Sequence, residues 1–165
     1  MFADGNPDSA DFILIGEAPG ASEDLTGKPF VGRAGKLLDE FLIKAGFSRN
    51  DDLYIVNTVK CRPPENRVPT DVEKFACRKF IETQIEIIQP KVIILCGATA
   101  LKSFYPAKTT ISGIRGEWLS ITVGGEKYKA MAIFHPSYLL RNHSTAEGSP
   151  RSFMLEDLKK IRSSN

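Results

Sequence analysis

Apolar residues gather in four short runs along the chain, Phe12–Ile15, Tyr54–Val56, Val92–Cys96 and Ala130–Phe134. Each run stops at a polar, glycine-marked or proline-marked segment. Short runs without apolar–polar alternation have the form of strands buried on both faces, as in a parallel sheet. The stretches between them carry a different period. Leu37, Leu38, Phe41, Leu42 and Ala45 recur at helical spacing, and Gly46 is placed to stop that helix. Thr70-Asp-Val-Glu73 has the form of a capping box and opens a helix to about Ile88, with Pro90 beyond its end. Ala98 to Phe104 reads as a short helix, and Ser152 to Ile161 as a closing one with Phe153, Leu155, Leu158 and Ile161 for its buried side. Trp118–Val123 and Lys127–Phe134 flank Gly124-Gly125, a hairpin signal.

Strand and helix thus alternate, which predicts an α/β fold: a three-layer α/β/α sandwich around a mainly parallel four-stranded sheet, with room for one added antiparallel strand. An open sheet of this kind places its ligand at the carboxyl ends of its strands. Glu17, Asn57 and His135 follow or end three of the runs and are expected to converge on one crevice.

Length and composition narrow the class. A chain of 165 residues fits a single domain over 1–165, and 42% hydrophobic with 25% charged residues is the balance of an ordinary globule. No apolar run approaches the roughly 18 residues of a spanning helix. The first residues lack the basic start and apolar core of a signal peptide, so a cytoplasmic protein without membrane contact is expected, and a monomer. The net charge of +2 does not by itself point to nucleic acid. Its distribution says more. Lys60, Arg62, Arg67, Arg78 and Lys79 gather after the second run, with Arg141 and Arg151 beyond the fourth, and cations framing a strand-end crevice can grip a phosphate backbone. Three cysteines argue against a disulfide framework. Cys96 ends an apolar run and reads as a small buried hydrophobe, whereas Cys61 sits in a polar stretch, Lys60 to Pro64, where packing gives a thiol no reason.

Two segments carry candidate chemistry. Gly16-Glu-Ala-Pro-Gly20 lacks the spacing of a dinucleotide fingerprint and the Gly-Lys-Ser/Thr of a P-loop, but it sets a carboxylate, Glu17, in a turn at a strand end. His135-Pro-Ser-Tyr-Leu-Leu-Arg141 sets a histidine at another, followed by Tyr138, Leu139 and Leu140. In an exposed loop these leucines are either packed on the body of the domain or available as a wedge for a base stack.

Gly16 to Asp24, Gly27-Lys-Pro-Phe-Val-Gly-Arg-Ala-Gly35, Asn57 to Pro64 with Asn66-Arg67, and His135 to Arg141 together resemble the motifs of the family 4, iron–sulfur type uracil-DNA glycosylases, in the same order and across residues 12 to 160. The resemblance implies a DNA repair enzyme that flips uracil out of DNA and hydrolyses its N-glycosidic bond to leave an abasic site. It implies that Phe30 stacks on the uracil, that Asn57 reads the base edge, and that Ala18 lines the pocket where better-known relatives have aspartate. His135 would stabilise charge on the departing base, and Glu17 and Glu23 would place or activate water and support the cationic sugar. Leu139 aligns with the wedge and Arg141 with a phosphate contact, and Lys60, Arg62 and Arg67 belong with the DNA-facing cations.

The family holds a [4Fe-4S] cluster on four cysteines, of which Cys61 and Cys77 match two. No cysteine here matches the other two, so the cluster is expected to be absent or incomplete, and the chemical step needs no cofactor. The alternative to an active glycosylase is a catalytically weak DNA- or nucleobase-binding module derived from the same fold. A relative that crosslinks to abasic DNA through a loop histidine is disfavoured, since Cys61 to Pro69 holds none.

Overall fold

The computed structural model describes residues 3–5, 10–16, 33–48, 51–57, 71–105, 109–140 and 142–164. Four parallel strands form its centre: β2 (Phe12–Gly16), β3 (Leu53–Asn57), β4 (Val92–Cys96) and β6 (Glu126–Ile133). Two antiparallel strands close the edges, β1 (Ala3–Gly5) against β3 and β5 (Leu119–Val123) against β6, giving the order β1-β3-β2-β4-β6-β5. The hairpin at Gly124-Gly125 is as expected, and both glycines take positive φ. β1 is an addition to the predicted sheet. Its Ala-Asp-Gly sequence has no periodicity to read.

Alternation along each buried strand divides the core in two. Phe12, Leu14, Ile55, Ile94, Cys96, Met131 and Ile133 face one side, where helices α1 (Arg33–Ala45) and α6 (Pro150–Arg162) bring Leu38, Phe41, Leu42, Met154, Leu158 and Ile161. Ile13, Ile15, Val56, Ile93, Leu95 and Ala132 face the other, against Ile81 and Ile85 of α2 (Asp71–Ile88) and Ala100 and Leu101 of α3 (Ala98–Phe104). A sheet covered on both faces needs strands apolar at every position, which is why the runs do not alternate. The sandwich is therefore as expected.

The helix ends follow local chemistry. α1 stops at Gly46, whose φ of 95° favours glycine and whose N–H reaches the Ile43 carbonyl at 3.0 Å. α6 starts earlier than periodicity predicts, because Ser149 accepts from the Ser152 N–H and Pro150 occupies the first turn. A short helix, α5 (Pro136–Leu139), stands where a loop was expected, and another, α4 (Ile111–Ile114), precedes β5. The capping residue expected for α2, Thr70, lies outside the described residues.

Candidate active site

Register places the chemistry. Gly16 pairs with Asn57, Ile15 with Leu95, and Cys96 with Ile133, so the carboxyl ends of β3, β2, β4 and β6 form one row. The chain runs from β2 outward to β3, then returns to β4 on the other side of β2, so the topological switch point lies between β2 and β4. β3 and β6 are three strand spacings apart, about 14 Å. The carboxyl ends of β2 and β4 therefore lie between Asn57 and His135.

His135 is held with one orientation. The residue is half-buried and caps α5: its Nδ1 accepts from the Ser137 N–H at 3.1 Å and lies 2.7 Å from the Ser137 hydroxyl. An amide can only donate, so Nδ1 is the unprotonated nitrogen and the neutral ring carries its proton on Nε2. The neighbouring strand supports the ring from below. Gly97, after β4, has φ 90° and ψ 171°, a region open essentially to glycine alone, and its N–H bonds to the Ile133 carbonyl at 3.0 Å. A Cβ there would lie 3.1 Å from the His135 Cβ and 3.3 Å from its Cδ2. Only a residue without a side chain lets the imidazole lie this close to the end of β4.

The turn after α5 is tied down from α6. Arg151 donates from Nε to the Asn142 carbonyl at 2.6 Å and from its terminal nitrogen to the Leu139 carbonyl at 2.8 Å. Asn142 in turn donates to the Tyr138 carbonyl at 2.9 Å. Arg151 was expected among the cations framing the crevice. Its Nε and one terminal nitrogen bond the carbonyls of Asn142, beyond α5, and of Leu139, the last residue of α5.

Leu139 requires a correction. An exposed leucine was expected here, with wedge and packing both open; the side chain is 0% exposed and belongs to the core cluster with Phe134 and Met154. The physical reason is α5, a single turn that points Leu139 inward while Tyr138 is 48% exposed. Tyr138 tilts against Phe134, ring centroids 5.2 Å apart.

Asn57 is the last residue of β3, as expected, and Cys77 lies on α2, though neither side chain is described. Glu17, Ala18, Glu23, Phe30, Lys60, Cys61, Arg62, Arg67 and Arg141 lie outside the described residues. Cys96 is fully buried with its thiol directed at the Phe134 carbonyl, 3.9 Å away, and burial pushes the thiol well above its usual range. It is core, not a ligand. The other two cysteines of the sequence, Cys61 and Cys77, have no described side chains. Among the described residues no group of three or more His, Cys, Asp or Glu is placed to hold a metal, and no helix is long and apolar enough to cross a membrane.

Sequence reasoning missed a cleft that shares the His135 wall. It has a volume of about 460 Å³ and is bounded by Lys102 of α3, by Thr110, Ile111 and Ser112, and by Phe134 and Tyr138. The one signal for it was Gly97, directly after an apolar run.

Comparison with known proteins agrees with the geometry. The family model described as uracil DNA glycosylase superfamily matches residues 2–159. The chain is 49% identical over 167 residues to a Type-4 uracil-DNA glycosylase of Thermotoga maritima, covering 99% of this chain and 81% of that one. It is 43% identical to one of Archaeoglobus fulgidus over 81% of this chain and 68% of the relative. A third, from Saccharolobus solfataricus, is 38% identical over 93% and 70%.

Proposed function

Since the chain belongs to the uracil DNA glycosylase superfamily, we propose that it is a DNA repair glycosylase that takes uracil out of the base stack and hydrolyses its N-glycosidic bond, leaving an abasic site. It is a hydrolase of N-glycosyl bonds, and its substrate is uracil-containing DNA.

The chemistry explains what the site needs. As the C1′–N1 bond breaks, its electron pair moves into the uracil ring and builds negative charge on O2, while the sugar becomes an oxocarbenium-like cation. The observation that supports the reading most directly is the His135 tautomer. With Nδ1 accepting from the Ser137 amide, the neutral ring carries its proton on Nε2, and a ring donor already held in orientation pays no reorganisation when charge appears on the departing base. Asn57 reads the uracil edge, its amide offering a donor and an acceptor together. Phe30 stacks on the ring, beside Ala18. Glu17 and Glu23 take the sugar side, where a carboxylate stabilises the cation and accepts the proton of the water that attacks C1′. Lys60, Arg62, Arg67 and Arg141 bind phosphates. Cys61 and Cys77 match two cluster positions of the Type-4 branch, and hydrolysis in this scheme runs entirely on side chains and water.

The test is strand cleavage by alkali at the position of a single uracil in an oligonucleotide treated with the purified protein. Cleavage is expected with the native chain, and His135→Ala is expected to lower the single-turnover rate by roughly 10² to 10³, the effect of removing one donor to a developing anion. Full activity in His135→Ala refutes the role, and no cleavage by the native chain refutes the function.

A further inference from the structure

The cleft beside His135 has a composition that a uracil pocket does not call for. Its floor is apolar, made by Ile111, Phe134 and the half-exposed ring of Tyr138. Its rim holds the Lys102 ammonium with the hydroxyls of Thr110 and Ser112, and none of the described residues lining it is acidic. Thr110 Oγ1 accepts the Gly113 N–H at 3.1 Å as the cap of α4, so its own O–H is left to donate elsewhere. Lys102 and Ser112 are exposed. A cation and hydroxyl donors over an apolar floor match a phosphodiester with its attached base, and a volume of about 460 Å³ is in the range of small-ligand sites. The cleft is also continuous with the chemistry, because His135 forms part of its wall. A strand whose uracil reaches His135 must leave the site over adjoining surface, and this is adjoining surface of the right charge.

We propose that this cleft seats the nucleotide adjacent to the excised uracil, with its phosphate at Lys102, Thr110 and Ser112 and its base against Ile111 and Tyr138. The proposal rests on the glycosylase reading and extends it from one base to two. Lys102 acts as a point charge on one particular phosphate, so its contribution is strong only where that phosphate carries its charge.

The experiment is a cycle between side chain and substrate. Excision is measured under kcat/KM conditions with single-stranded oligonucleotides carrying one uracil, in which each of the two linkages on either side is made neutral, one at a time, as a methylphosphonate. On the unmodified strand, Lys102→Gln is expected to lower kcat/KM roughly fivefold and to reduce the salt slope by about 0.7. On one of the neutralised strands that fivefold loss is expected to vanish, which identifies the linkage in the cleft. An equal loss on every neutralised strand, or no loss on the unmodified one, overturns the proposal while leaving the glycosylase reading intact. Absence of excision by the native chain overturns both.

Discussion

Gly97→Ala tests whether the end of β4 sets the position of the imidazole. Alanine at φ 90° and ψ 171° is strained by about 2 kcal/mol, and the residue has little freedom to relax, because its N–H is bonded to Ile133 and its carbonyl to the Leu101 N–H at 3.1 Å. For a domain of this size that strain lowers the melting temperature by roughly 4–8 °C. The new Cβ, 3.1 Å from the His135 Cβ, also displaces the ring by a few tenths of an ångström. Misplacement of a catalytic group by about 1 Å can cost on the order of 10² in rate, so a loss of about tenfold in single-turnover excision is expected, well below the melting transition. Gly46→Ala is the control. It too has a strongly positive φ, 95°, but its Cβ would meet nothing closer than the Arg162 Cγ at 3.9 Å. That variant should lose comparable stability and keep its excision rate. If both glycine variants lose stability alike and both keep full activity, the argument that Gly97 places His135 is wrong.

Two further outcomes follow from buried groups. Leu139→Ala removes a side chain that is 0% exposed, so it is expected to cost about 3 kcal/mol, or roughly 6–12 °C in melting temperature, and to slow excision of single- and double-stranded substrates alike; a variant that melts like the native protein and loses only duplex activity would restore the wedge. Arg115→Met leaves the buried Asp157 carboxylate without the guanidinium that now donates to it at 2.8 and 2.6 Å. Burial already holds the Asp157 carboxyl above the usual carboxylate range, with the Arg115 hydrogen bonds and charge offsetting part of that, and the variant raises it further. A carboxyl raised in the folded state contributes stability that is full below its unfolded value and lost as pH rises through the folded one, so the variant's deficit should be largest near neutrality, about 3 kcal/mol, and shrink toward pH 4. Urea denaturation at several pH values measures it, and a deficit independent of pH refutes the account.

The parts legible in the sequence are those that depend on neighbours along the chain. Parallel strands covered on both faces must be apolar at every position, so Phe12–Ile15 and Val92–Cys96 show themselves, and the first polar residue after such a run is already at the ligand edge of the sheet. That is why pattern alone puts Asn57 and His135 at strand ends. Leu139 was ambiguous for the opposite reason. A single helical turn has no period to detect, and whether its leucine faces core or solvent depends on the His135 cap and on the Arg151 bonds that close it.

The same division explains why the supports of the candidate site stayed hidden while the residues proposed to react did not. Arg151 acts on carbonyls 9 and 12 positions away, and Arg115 meets Asp157 across 42 positions. In sequence each is one more surface charge. Catalytic chemistry demands particular residue types at strand ends, which leaves motifs, whereas holding a backbone carbonyl demands only a long donor within reach, which many positions can supply. Gly97 lies between the two kinds. Its place after an apolar run was visible, but the need for it comes from a histidine 38 residues later, and only the packed sheet brings that ring within 3.3 Å of where a methyl group would be.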